Sequence, residues 1–532
     1  MLRATPAAAP ALIDRANRAL ADLAERIVRL KGWPRRGAAL LAGASAALAF
    51  APAHALPLLA AGFSVLVLLI DGSRRKQAFA AGWFFGFGYF IVSLYWLAFS
   101  FFVQAEQFAW MAPFAVIGLS AFLGLFTGGA AAVAAALWRP GIQRLLVFAA
   151  VYMTFEYARG HVLTGLPWNL PGQALAGTAI GAQTAAWWGV YGLSLIVLTL
   201  AVLPARARDG KGAQGLIAML GGAAILFCVG ALRLAGPDPG VREDVLIRIV
   251  QPNIPQREKI AGDLWARNFK RHIALSQGDA PAARVYILWP ENAAPYLQEY
   301  EDALALMSRE LPKNATLIAG VVRREEIGGK ELYFNSIGVF VETGGERIAR
   351  AFYDKHHLAP FGEYLPFQGL LRSVGLAQLA PYDEGFAFGS GPQIMSDGGP
   401  DFAPLVCYEA IFPGEIYPEG RRPEWIATVT NDAWFGDTAG PRQHLDQARL
   451  RAVETGLPMA RSANTGVSAM IDAKGRILDR IPLYESGRID APLPRPLAAT
   501  IYTRIGDLGF AILLIGALAL GVSPPRRTRG GP

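Results

Sequence analysis

The sequence predicts an α-helical transmembrane bundle of about eight spans joined to an α/β layered domain that sits between the seventh span and the eighth. Three observations predict it. Hydrophobic residues fill 53% of the 532 positions and charged residues 17%, too apolar a balance for a soluble chain of this length. The charge is also unevenly spread: residues 37–236 are almost free of acids and bases, whereas 240–495 have the mixed composition of an ordinary globular domain. Within 240–495, short β-type runs alternate with polar turns and helical stretches, the pattern of layered α/β domains.

The first segment, 1–36, carries Leu12, Ile13, Ala16, Leu20, Leu23, Ile27 and Leu30 at roughly helical spacing, with Arg15, Arg18, Arg26, Arg29 and Lys31 between them. That pattern reads as a basic amphipathic helix lying on the cytoplasmic membrane surface. A signal peptide competes, with 37–50 as its apolar region and Ala53-His54-Ala55 as its cleavage site. The charged leader is too long for one, and further spans follow at once. The spans expected are 37–52, 56–71, 78–101, 111–138, 144–159, 182–204, 215–235 and, after the soluble domain, 501–521.

Loop charge orients them. Arg35 and Arg36, Arg74-Arg75-Lys76, Arg139 and Arg144, Arg206, Arg208 and Lys211, and Arg526, Arg527 and Arg529 in the basic tail 522–532 all fall on one side. The alternate loops, around Ala53, 104–108 and 160–181, are nearly free of cations. By the positive-inside rule both termini are cytoplasmic and the 240–495 domain is external, which in a bacterium means an inner-membrane protein with a periplasmic domain. The same clustering at span ends explains the net charge of +8 better than nucleic-acid binding does. Two distant cysteines cannot build a disulfide framework, and no histidine or cysteine pair has zinc spacing, so no metal or cofactor is expected.

Glu156 is the one acid well inside a span, with Arg159 on the same helical face. Ionisable groups at membrane depth are functional candidates, but an i,i+3 ion pair that merely fixes the helix explains them equally well. The aromatic positions Tyr95-Trp96 and Gly165-Leu166-Pro167-Trp168-Asn169 fit the outer interface, where such rings are common.

In the soluble part, strands are expected at 245–250, 285–289, 316–321, 336–341, 404–406, 425–430 and 467–471. Chemistry in layered α/β folds gathers beyond strand ends, so each exit matters. Trp289 leads into Pro290-Glu291, and the segment after Val341 reaches Tyr353-Asp354-Lys355-His356-His357. Leu405-Val406 delivers Cys407, and Val429-Thr430 delivers Asn431-Asp432-Ala433-Trp434. A free cysteine is core filler more often than a nucleophile, but a carboxylate can take a thiol's proton and an ammonium can favour the thiolate and hold an oxyanion. Glu291, Lys355 and Cys407 could therefore form an acyl-transfer triad; surface ion pairs are the plain alternative for the two charges.

The order Trp289-Pro290-Glu291, Tyr353-Asp354-Lys355-His356-His357-Leu358, Cys407-Tyr408-Glu409 resembles the nitrilase (carbon–nitrogen hydrolase) superfamily. A domain of that kind between transmembrane helices resembles its membrane-embedded branch, the apolipoprotein N-acyltransferases. Gln251-Pro252-Asn253-Ile254-Pro255-Gln256, Pro360-Phe361-Gly362-Glu363-Tyr364 and Thr430-Asn431-Asp432-Ala433-Trp434-Phe435 extend the likeness, while Ile260 stands where many relatives carry tryptophan.

The resemblance implies a nitrilase-like αββα sandwich, with Cys407 as nucleophile, Glu291 as general base and acid, and Lys355 as oxyanion stabiliser. Glu363 is implied as a supporting glutamate, and Tyr408 and Glu409 as the nucleophile's flanks. It also implies a phospholipid acyl donor, typically phosphatidylethanolamine, a thioester intermediate and a diacylglyceryl-cysteine apolipoprotein acceptor.

A thioester must be kept from water until the amine arrives. The apolar stretch Tyr364, Leu365, Phe367, Leu370, Leu371, Val374, Leu376 and Leu379 is expected to form a lid dipping into the outer leaflet, with an ordinary buried helix as the alternative. Trp434 and Phe435 are expected to close the other side. His356, His357 and His444 are read as structural, because a glutamate base leaves them no necessary role. A tethered hydrolase of small amides and a non-catalytic binding or transport protein remain as rival functions.

Overall fold

The computed structural model describes residues 8–366 and 385–523. The chain divides into two compact units, one of Met1–Ala98, Trp110–Arg233 and Ile505–Pro532, the other of Phe99–Ala109 and Leu234–Arg504.

The first unit is helical. Its amphipathic N-terminal helix runs Ala8–Val28, and Asn17 accepts the Ala213 N–H at 2.9 Å. Three helices among the described residues are long and apolar enough to cross a membrane: Ala105–Ala136, Ala185–Asp209 and Gly212–Ala235. The pair Arg75–Ser93 and Tyr95–Phe102, bent by 47°, makes a fourth if it is one span. This is fewer than the eight expected. Every expected span coincides with a helix, but Gly32–Ala47, Leu56–Ile70 and Leu508–Val522 have only 15 or 16 residues. At 1.5 Å per residue such helices reach about 24 Å, short of a hydrocarbon core of about 30 Å. Gln143–His161 is longer but carries Arg144, Glu156 and Arg159.

Small residues let these helices approach closely. A Cβ on Gly86 would lie 1.9 Å from Thr127 Oγ1, and one on Gly88 would lie 2.2 Å from the Leu40 carbonyl. Glu156 and Arg159 are both buried and pair at 2.5 Å. Arg159 also donates to the Leu166 carbonyl and lies over the Phe90 ring at 5.1 Å, so the pair fastens the loop that follows its helix. Trp96 and Trp168 are buried against each other with ring centroids 4.9 Å apart.

Among its described residues the second unit holds eleven strands in two sheets. The strands are β1 (Val241–Gln251), β2 (Arg284–Trp289), β3 (Ala315–Ile327), β4 (Lys330–Thr343), β5 (Glu346–Asp354), β6 (Phe402–Val406), β7 (Trp425–Thr430), β8 (Met459–Ala463), β9 (Ser468–Ile471), β10 (Ile477–Ile481) and β11 (Gly487–Pro494). One sheet has the order β11-β1-β2-β3-β4-β5 and the other β10-β9-β8-β7-β6.

Alternation along each strand decides what lies between the sheets. Ile247, Ile249, Tyr286, Leu288 and Ile318 of the first sheet share one core with Val406, Trp425, Ala427 and Val429 of the second. The opposite faces of the first sheet, through Val285, Ile287, Trp289 and Leu317, pack on helices Trp265–Ser276 and Glu301–Glu310. Ala403, Leu405 and Ile426 pack on helix Ala439–Thr455. The result is helix, sheet, sheet, helix, the αββα sandwich. Strands covered on both faces read as continuous apolar runs, which is why β2, β6 and β7 stand out in the sequence.

Candidate active site

Parallel pairing sets the strand exits side by side. In the first sheet β2 runs parallel to β3, and two antiparallel steps through β4 bring β5 back to the same direction. The exits of β2 and β5 therefore share an edge, placing Glu291 and Lys355 together. In the second sheet β6 and β7 are parallel, so Cys407 and Asn431 leave the same edge.

Cys407 takes φ of +49°, a left-handed conformation that costs a non-glycine residue energy. The turn presents the thiol directly after β6 and opens the 3-10 turn Cys407–Ile411. Glu409 anchors that turn. Its buried carboxylate accepts the Val406 N–H at 2.7 Å, the Tyr353 hydroxyl at 2.8 Å and the His356 N–H at 2.8 Å. Burial alone would raise the Glu409 carboxyl, but the hydrogen bond from His356 and the charges of His356 and Lys355 hold it below the usual range. Glu409 thus ties the Cys407 turn to the loop carrying Lys355.

Lys355 Nζ lies 2.7 Å from Glu363 Oε2 and 3.8 Å from Glu291 Oε1. Burial works against its ammonium, yet Glu363 and Glu291 outweigh burial and keep the proton on well above the ordinary lysine range. The two glutamates share one donor: Asn335 Nδ2 reaches Glu291 Oε1 at 2.8 Å and Glu363 Oε1 at 2.6 Å. Burial pushes the Glu291 carboxyl up, and Glu363 adds to that push against the pull of Lys355 and the Asn335 hydrogen bond. The Cys407 thiol is pushed well up by burial and then by Glu291, with Lys355 opposing.

Asn335 was not singled out by the sequence, although a polar residue near the start of the buried run Phe334–Phe340 is the signal that could have found it. Lys259 was missed as well. Half-buried, it donates to the Glu291 carbonyl at 2.7 Å, and burial lowers its ammonium to about 8 against the pull of Glu291 and Cys407.

His444 is buried, with Nδ1 3.0 Å from Asp432 Oδ1 and its Nε2–H assigned to the Cys407 carbonyl at 3.1 Å. Arg461 donates to Asp432 at 2.9 Å. These buried groups hold the Cys407 carbonyl from behind. Tyr408 stands edge-on to Phe412 with centroids 5.1 Å apart. Trp434 ends a 3-10 turn, and Trp434 and Phe435 are half-buried. The glycine after them, Gly436, approaches the Phe99 ring, to which a Cβ would come within 3.0 Å.

Tyr364 packs on Phe388 at 5.2 Å and on the small cluster of Val322, Leu358 and Phe386, and Leu365 is buried. Phe367 and the rest of the expected lid, through Leu379, lie outside the described residues.

Residues 42–203 match the family described as the apolipoprotein N-acyltransferase N-terminal domain, and residues 246–502 match the carbon-nitrogen hydrolase family. Among solved structures, a CN-hydrolase superfamily protein from Xanthomonas campestris aligns over 52% of this chain and 98% of its own at 19% identity, with a TM-score of 0.31. The apolipoprotein N-acyltransferase of Rhodopseudomonas palustris is 40% identical over 93% of this chain and 96% of its own length. That of Bradyrhizobium diazoefficiens is 39% identical over 94% and 97%, and that of Brucella melitensis 40% over 90% and 93%. Identity of this order along almost the whole of each sequence reflects common descent rather than a shared fold alone, and this chain belongs to the apolipoprotein N-acyltransferase family of acyltransferase enzymes.

Proposed function

We propose that this chain N-acylates the terminal diacylglyceryl-cysteine of apolipoproteins with an acyl chain taken from a phospholipid, phosphatidylethanolamine being the expected donor, through a thioester on Cys407. The observation that carries the mechanism is the unequal placement of Lys355, 2.7 Å from Glu363 but 3.8 Å from Glu291. Glu363 balances the lysine's charge, and this leaves Glu291, whose carboxyl is pushed up by burial, as the group able to take and return a proton.

In the first half-reaction the Cys407 proton passes to Glu291 as sulfur attacks the ester carbonyl. The oxyanion is met by the Lys355 ammonium and the Tyr408 N–H. Collapse breaks the ester C–O bond, Glu291 returns the proton to the departing lysophospholipid alkoxide, and the thioester remains. In the second half the acceptor's α-amine attacks the thioester carbon and gives up a proton to Glu291. Breaking the C–S bond releases the amide, and the proton goes back to Cys407. The thiol's raised proton affinity keeps the resting nucleophile inert until a substrate carbonyl and Glu291 act together.

The same reading sets the chain in a bacterial inner membrane with about eight spans, both termini cytoplasmic and the αββα domain periplasmic. Loop cations support it, and the short helices Gly32–Ala47, Leu56–Ile70 and Leu508–Val522 would span with local thinning of the bilayer.

Intact-mass measurement of the purified protein and its Cys407→Ala variant tests the chemistry. A fatty-acyl adduct on the wild type that hydroxylamine removes, absent from the variant, is the expected result. No adduct after phospholipid is supplied, with ammonia released from small amides instead, would assign the site to hydrolysis.

A further inference from the structure

Beside the catalytic loop lies a group of side chains that the acyl-transfer chemistry leaves unused. His356 Nε2 is 3.5 Å from Glu415 Oε2, and His357 Nδ1 is 2.9 Å from the same oxygen. The three atoms all lie within 4.8 Å of one another. Ligands around a tetrahedral zinc, each at 2.0–2.1 Å from the ion, stand ~3.3 Å apart, so these separations bracket what one ion requires.

We propose that His356 Nε2, His357 Nδ1 and a Glu415 carboxylate oxygen form a three-ligand site for a divalent transition metal, zinc above all, with a fourth position open. The adjacent histidines have none of the spacings that mark zinc sites, and the glutamate arrives from a separate loop, so the sequence alone led to no metal.

Three features of the surroundings fit the assignment. First, the ring of His356 is held from its other side: Nδ1 lies 2.7 Å from Glu409 Oε1 and 2.8 Å from the Tyr353 hydroxyl. A carboxylate on the far nitrogen of a histidine is the usual outer partner of a zinc ligand, fixing the tautomer that leaves Nε2 free to coordinate. That Nε2 is buried and makes no well-formed hydrogen bond among the described residues. Second, His357 is locked in place by stacking on Phe412, with ring centroids 3.5 Å apart and planes inclined by 19°. Third, the charge suits a dication. Glu409 and Glu415 bring two negative charges to a partly exposed cluster. A proton on His356 balances only one of them, whereas a divalent ion between neutral imidazoles balances both.

The consequence is mechanical. His356 and His357 directly follow Lys355, and Glu415 lies beyond the turn that Cys407 opens. A bound ion clasps the lysine loop to the cysteine loop through the same His356–Glu409 contact that anchors the turn. The ion takes no part in acyl transfer, so the assignment stands or falls independently of the proposed reaction.

The test uses the full chain in detergent, freed of any histidine tag, stripped with chelator, and in a Cys407→Ala background so that the nucleophile cannot bind metal. Cobalt(II) titration should give the intense ligand-field absorption of a four-coordinate ion without a thiolate charge-transfer band, and zinc should displace it. Glu415→Gln, at a partly exposed position that folding tolerates, and His357→Ala should each weaken zinc binding roughly tenfold or more. Zinc should also raise the unfolding midpoint of the background protein but not of the Glu415→Gln variant. Absence of binding, a six-coordinate cobalt spectrum, a thiolate band reporting Cys228, or equal affinity in both variants would each overturn the assignment and leave His356 as a protonated bridge between two glutamates.

Discussion

The division of labour between Glu291 and Glu363 can be tested by moving the Glu291 proton affinity in opposite directions. Asn335 Nδ2 serves both carboxylates, at 2.8 and 2.6 Å, so the two acceptor oxygens lie ~5 Å apart. Two negative charges at that separation repel by about 3 kcal/mol at an effective dielectric constant of ~20, which amounts to about two pK units. Glu363→Gln removes this repulsion and frees Lys355 to move onto Glu291, and both changes pull the Glu291 carboxyl down. The acid limb of the pH profile for thioester formation should shift down by about two units, and the rate on the plateau should fall roughly tenfold because the base is weaker. Lys259→Met should do the reverse. It removes a half-buried cation next to the Glu291 carbonyl, so the acid limb should move up, by less than one unit because solvent screens that charge. The assay is single-turnover acylation of the enzyme by a labelled phospholipid in detergent, followed from about pH 5 to 9. If the acid limb stays fixed in Glu363→Gln, or moves up, Glu291 is not the titrating base and the roles assigned to the two glutamates are wrong.

Other expectations follow from the same contacts. Asn335→Asp puts a third carboxylate between Glu291 and Glu363; acylation should fall by ~10²-fold or more and the unfolding midpoint should drop, as thermal scanning will report. Asp432→Asn leaves fully buried Arg461 without its charge partner, a loss of about 3–5 kcal/mol. Arg461 and His444 overcome burial to hold the Asp432 carboxyl below its usual range. Its contribution is therefore complete above the unfolded value of ~3.9 and is lost as pH falls through the lower folded value. The stability gap between wild type and Asp432→Asn should be full at about pH 6 and should close below about pH 4. Cys407, pushed up by burial and Glu291, should react with iodoacetamide at neutral pH more slowly than a free cysteine peptide, and faster as pH rises. Gly86→Val drives a side chain into Thr127 and should lower the helical unit's stability by about 1–3 kcal/mol.

What the sequence revealed of the fold depended on how each strand is buried. β2, β6 and β7 are covered on both faces and read as unbroken apolar runs, so their bounds were legible to within two residues. β5, β10 and β11 alternate charge with apolar side chains and lie at or next to sheet edges, a pattern that polar turns imitate. β8, Met459–Ala463, is central and buried, but Arg461 and Ser462 interrupt its apolar positions, so it does not read as an apolar run. Each expected span falls on a helix, yet among the described residues only three of these, or four counting the bent pair, are long and apolar enough to cross a membrane.

The same distinction governs the site. Glu291, Lys355 and Cys407 were legible because each follows a strand, and strand exits in a layered fold converge. Asn335 and Lys259 were not. Asn335 acts from within β4, where an amide among apolar neighbours looks like a flaw in a strand until the two carboxylates it serves are in view. Lys259 comes from a short helix, Gln256–Ile260, whose sequence has the look of a solvated turn. Both residues act by adjusting charges that belong to other parts of the chain, and no local pattern records such a dependence. The titration of Glu291 is therefore where sequence reasoning gives out and where the opposed effects of Glu363→Gln and Lys259→Met are most informative. A base identified from motif order alone carries no prediction about the sign of either shift, whereas a carboxyl set between a paired lysine, a second glutamate and a half-buried ammonium requires both.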